Sequence, residues 1–87
     1  MQGTTKSGFK FNVPKERIDD INFLRTVKAM ESDVSKVLDL VEMILQDDEE
    51  RFYKHLQQDD GRVPISIVQK EISEILNILG KTKAGKK

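Results

Sequence analysis

Apolar and polar positions along the chain fall into five stretches with two different periods. Near the start, Phe9, Phe11 and Val13 alternate with Lys10 and Asn12. A period of two predicts a short strand or extended arm with one apolar face. Pro14 ends it, because proline has no N–H to give to a ladder. The next pattern has the helical period. Ile21, Leu24, Val27 and Met30 recur at three-residue steps with Phe23 beside them, and Asp19 or Asp20 supplies an N-cap oxygen. Glu31-Ser32-Asp33 interrupts this run and offers a new cap at Ser32 or Asp33. The cleanest stripe follows: Val34, Val37, Leu38, Val41, Ile44 and Leu45 predict one face of a second helix.

The acidic block Asp47-Asp48-Glu49-Glu50 opens a third, shorter helix, where carboxylates favour the positive end of the helix dipole. Phe52, Tyr53 and Leu56 give it an apolar contact, with His55 alongside. "QDDGRVP" then breaks the pattern. A last helix is predicted from about Ile65 to Leu79, with Ile65, Val68, Ile72, Ile75, Leu76 and Leu79 on one face and Gly80 as its stop. These elements predict an all-α fold, a small bundle of about four helices preceded by a short extended N-terminal arm or strand. The organisation read from the chain is a disordered N-terminus over 1–8, a single helical domain over 9–80 and a flexible basic tail over 81–87.

Two helices carry more apolar residues than one core face needs. Ile67 and Ile78 lie off the main stripe of the last helix, three turns apart, and Leu40 and Met43 lie off that of the second. Leu40, Met43, Ile67 and Ile78 are therefore the candidate partner-binding residues, for another protein or for self-association.

Composition narrows the function. The chain has 87 residues, no cysteine and a formal net charge of zero, with 34% of residues charged. That excludes disulfides, thiolate metal sites and a cysteine nucleophile. Balanced charge removes the usual ground for non-specific nucleic-acid binding. No apolar run is long enough for a membrane span, and the N-terminal residues lack the apolar centre of a signal peptide. The reading is a soluble intracellular protein that engages neither membrane nor nucleic acid. No metal or other cofactor is expected. "DDG" at Asp59–Gly61 has a calcium-loop look, but an EF-hand needs glycine at position six and glutamate at twelve. With Gly61 at six, position one is Leu56, three is Gln58 and twelve is Ile67. A tight turn fits better, with aspartate hydrogen-bonding locally and glycine supplying a positive φ. His55 is the only histidine, and "GKT" at 80–82 lacks the upstream glycine of a phosphate loop. No catalytic constellation emerges, and a non-enzymatic role is expected.

One alternative belongs to another class. A strand followed by two helices has the outline of a ribbon-helix-helix DNA-binding regulator, in which Lys10 and Asn12 would enter the major groove from a paired ribbon. That ribbon is thin in basic residues, and the second half of the chain is left unexplained.

The order of segments resembles a family, the small tail assembly chaperones of siphophages. The resemblance rests on an "F-x-F-x-V" arm (Phe9, Phe11, Val13), a "DDxxFL" helix opening (Asp19, Asp20, Phe23, Leu24), a "DGRVP" link (Asp60 to Pro64) and an "EI-x-EIL" final helix (Glu71, Ile72, Glu74, Ile75, Leu76). A Gly-Lys tail closes the chain. "MILQDDEE" departs from the "LLG" that often ends the family's second helix. The resemblance implies a non-enzymatic phage or prophage protein in the cytoplasm of a bacterial host. It would bind the tape measure protein, keeping it soluble during tail assembly. It further implies that a frameshifted, longer form engages the tail tube protein, and the two Gly-Lys pairs of the tail are places where slippery codons would sit.

Overall fold

The computed structural model describes residues 1–80. The tail at 81–87, with its Gly-Lys pair at 85–86 and the frameshift reading attached to it, lies outside the described residues. Two strands come first, β1 (Gln2–Thr4) and β2 (Lys10–Asn12). They form an antiparallel hairpin in the register Gln2↔Asn12, Gly3↔Phe11, Thr4↔Lys10. Five α-helices follow: α1 (Lys15–Ile18), α2 (Ile21–Ala29), α3 (Lys36–Leu45), α4 (Glu49–Leu56) and α5 (Ile65–Leu79), with a 3₁₀ turn over Gln46–Asp48 between α3 and α4.

The all-α expectation is thus corrected. The fold is mostly helical but contains a two-stranded antiparallel sheet, and the supposed arm is its second strand. Residues 1–8, expected to be disordered, supply the first strand and the turn. The ladder continues past the strand ends, with Met1 and Val13 exchanging both backbone bonds at 2.8 Å. Thr5 N–H donates to Phe9 O and Gly8 N–H to Thr5 O, both at 2.9 Å. Gly8 sits at φ +95, the left-handed conformation that closes a three-residue hairpin turn with a bulge. Period-two reasoning missed β1 because Gln2, Gly3 and Thr4 offer no apolar alternation. What holds it is the ladder, together with the Phe11 ring lying across Gly3. A Cβ on Gly3 would come 2.6 Å from Phe11 Cζ and 2.8 Å from Ile78 Cγ2.

The apolar face of β2 behaves as its alternation dictates: Phe9, Phe11 and Val13 are all buried. Around them the core gathers Ile18, Phe23, Val37, Leu40, Val41, Ile44, Leu45, Phe52, Leu56, Val68, Ile72, Ile75, Leu76 and Leu79. Each fully buried side chain of this size contributes about 1.5–3 kcal/mol. α3 is the central element, packed against α1, α2, α4 and α5.

Local chemistry sets the helix ends. Asp20 caps α2 by accepting from Asn22 N–H at 2.9 Å. Asp33 accepts from Ser35 N–H and Oγ, organising the turn into α3, and those bonds hold its carboxyl below the ordinary value. Arg17 reaches from α1 to the Ile44 carbonyl at 2.9 Å, near the negative end of α3. Gly80 ends α5 in the left-handed conformation. The Gln57–Pro64 segment is a tight reversal. Gly61 N–H donates to Gln58 O at 2.9 Å, Gly61 has φ +89, and Asp60 accepts from both Arg62 N–H and Arg62 Nε. The Arg62 side-chain bond, then its backbone bond, lower the Asp60 carboxyl's pKa.

Candidate functional site

Two arrangements merit scrutiny, a polar cluster at the hairpin turn and the outer surface of the α2–α3 helical hairpin. The polar cluster unites three distant parts of the chain. Glu71, on α5, is 6% exposed, and its Oε2 accepts from Thr5 Oγ at 2.5 Å and from Ser7 Oγ at 2.6 Å. Thr5 Oγ also accepts from Phe9 N–H at 3.1 Å. Lys6 N–H donates to Glu74 Oε2 at 2.6 Å. His55 Nε2 lies 3.0 Å from Ser7 Oγ, and its ring is tilted against Phe9.

Donor counting assigns the protons. Each hydroxyl has one hydrogen. Thr5 and Ser7 both give theirs to Glu71, so Ser7 Oγ is left to accept from a proton on His55 Nε2. A nucleophilic serine would direct its proton the other way, into the imidazole. The cluster is arranged as a clamp that fixes the hairpin turn on α4 and α5. Arg51 adds to it, stacking 4.5 Å above the Phe9 ring and donating to Lys10 O at 2.7 Å. Met1 and Val13 exchange both ladder bonds, Gly3 and Phe11 pair in the same phase and Thr5 N–H donates to Phe9 O, so Lys10 O, which alternates with them, points to the outer edge of β2. Arg51 takes that edge position. A ribbon-helix-helix arrangement needs a strand that pairs with its counterpart in a second copy. Here β2 is already paired with β1, which removes the feature that suggested that alternative.

The four candidate partner-binding residues do not come together. Leu40 is fully buried in the core and offers no contact surface. Its assignment is corrected by the rotation of α3, whose buried face runs through Val37, Leu40, Val41, Ile44 and Leu45 and leaves Leu38 outside. Met43 is half-buried and lines a shallow groove of about 520 Å³ between α2 and α3, with Asn22, Arg25, Thr26, Asp39 and Glu42. Ile67 is half-buried against the core. Ile78 is 40% exposed and packs beside Gly3 of the hairpin.

What the sequence assigned to the core is in part the exposed surface. Ile21 (61% exposed), Leu24 (52%), Val34 (45%) and Leu38 (47%) face solvent on and beside α2 and α3. The signal was present in α2: Phe23, Val27 and Met30 form a second helical stripe, at steps of four and three, which competes with Ile21, Leu24 and Val27. The aromatic ring offers the larger buried area, so its stripe faces inward. Among the described residues, no group of three or more His, Cys, Asp or Glu side chains is placed to hold a metal ion, and no helix is long and apolar enough to cross a membrane.

No protein-family model, curated protein or solved structure matches the chain.

Proposed function

We propose that the protein is a non-enzymatic chaperone of phage tail assembly, acting in the cytoplasm of a bacterial host by covering an apolar helical stretch of the tape measure protein. The observation that carries the reading is the set of four exposed aliphatic side chains, Ile21, Leu24, Val34 and Leu38, on one helical hairpin. Solvated aliphatics occur singly on most surfaces, but three on two consecutive helices and a fourth, Val34, in the turn between them supply the contacts with which one helix recognises another. The collinear resemblance of the chain to the tail chaperones names the partner. A longer, frameshifted form would carry the contact to the tail tube protein.

The test is co-expression with the tape measure protein encoded in the same genome. The expected result is a soluble complex, lost when Leu24→Lys and Leu38→Lys are combined in a chain that retains its helical circular dichroism. A tape measure protein that stays insoluble with the wild-type chain, or that the double variant keeps soluble equally well, would overturn the reading.

A further inference from the structure

The groove between α2 and α3 has walls of opposite charge. α2 carries Arg25 and Lys28 and no acidic residue; α3, beyond its first residue Lys36, carries Asp39 and Glu42 and no basic one. Arg25 lines the groove from one side, Asp39 and Glu42 from the other, with half-buried Met43 in the same wall. Among the described residues the ion pairs within 4 Å are Lys36–Asp39, Arg51–Asp48 and Arg62–Asp60. Arg25 and Glu42 thus face one groove without pairing across it. The Lys36–Asp39 pair, at 3.6 Å, is about half exposed on both sides and is readily exchanged.

From this we infer that the α2–α3 groove is a homodimer interface, occupied by the same groove of a second copy. A two-fold axis lying along the groove sets α2 of each copy over α3 of the other. Arg25 of each then meets Asp39 and Glu42 of its partner, and both unpaired groups are satisfied at once. A two-fold axis across the groove would instead set α2 on α2 and bring like charges together, so the charge pattern selects the first arrangement. Met43 and the methyl of Thr26 supply the apolar centre. The inference stands on charge placement in the groove and does not depend on the chaperone reading.

Sedimentation of the full chain tests it, over a range from about 1 to 500 μM and at low and high salt. The expected result is a concentration-dependent dimer that weakens as salt rises, because pairs at an interface rim are screened. Arg25→Glu and Glu42→Arg should each raise the dissociation constant about tenfold or more, since each disturbs two symmetry-related contacts. The two reversals combined in one chain should restore much of the wild-type value. Circular dichroism controls for folding, and both side chains are exposed. A wild-type chain that remains monomeric over the whole range overturns the inference. So does a dimer indifferent to both reversals, or one that the combined reversal fails to rescue.

Discussion

Replacing Glu71 by alanine should loosen the hairpin and cost a large share of the protein's stability. In the native fold the carboxylate receives two short hydroxyl bonds, from Thr5 at 2.5 Å and Ser7 at 2.6 Å, in a nearly dry setting. Hydrogen bonds to a charged group contribute about 1.5–3 kcal/mol each. Truncation removes both and leaves the buried Thr5 hydroxyl without its acceptor. It also relieves the cost of burying the carboxylate, so the net loss should be about 2–4 kcal/mol. For a domain of this size that lowers Tm by about 10–25 °C. Glu71→Gln is the informative comparison. Both hydroxyls address the same oxygen, so the amide oxygen can take both bonds without the charge, and the loss should be nearer 1 kcal/mol. Urea unfolding followed by circular dichroism gives both values. A Thr5→Ala/Glu71→Ala cycle should show a coupling of about 1 kcal/mol or more. If Glu71→Ala stays within about 0.5 kcal/mol of wild type, the Glu71 bonds do not hold the hairpin, and its attachment must rest on the apolar face of β2 with the Glu74 and Arg51 contacts.

Other substitutions probe separate features. Gly3→Ala places a methyl against Phe11 and Ile78 at well under van der Waals distance, and should destabilise by about 1–3 kcal/mol in the same unfolding assay. Gln46 ends α3 at φ 46, ψ −111, a conformation that suits glycine; Gln46→Gly should therefore stabilise by about 1 kcal/mol, visible as a higher Tm. Tyr53 is the only tyrosine and there is no tryptophan, so ultraviolet absorbance reports its ionisation cleanly. Burial, then Glu49, push its pKa from 10.0 up to about 12. The native state thus holds this proton more tightly than the unfolded chain. The associated stability is complete below pH 10 and is lost as pH rises toward 12, and an ordinary tyrosine titration in the folded protein would contradict the packing of α4.

The sequence made the four long helices legible because each repeats its apolar residues at the helical period and begins or ends at a recognisable residue. Asp20, Gly80 and the Asp60-Gly61 reversal act as their chemistry suggests. Helix faces were harder to read. In α2 two stripes share Val27, and only packing decides between them; in α3 Leu38 and Leu40 compete in the same way, and Leu40 wins the core. The first strand left no periodic trace at all. The partners of the turn that follows it, Glu71, Glu74 and His55, stand about fifty to seventy positions away from Thr5, Lys6 and Ser7 along the chain, where local pattern has no reach. Glu71 carried one clue, since it lies one residue before Ile72 within the buried arc of α5. A carboxylate in such a position must find hydrogen-bond donors, but nothing in the sequence says where they come from.

The central claim is that Ile21, Leu24, Val34 and Leu38 are the surface that receives an apolar helix. A methyl NMR titration of the full chain with a helical fragment of the cognate tape measure protein tests it directly. The account predicts saturable shifts concentrated on Ile21, Leu24, Val34 and Leu38, with the core methyls of Leu40, Ile44 and Ile72 little changed. Absence of binding would contradict it, and so would shifts centred on the exposed Ile65 and Ile78 of α5 while the α2–α3 methyls stay still.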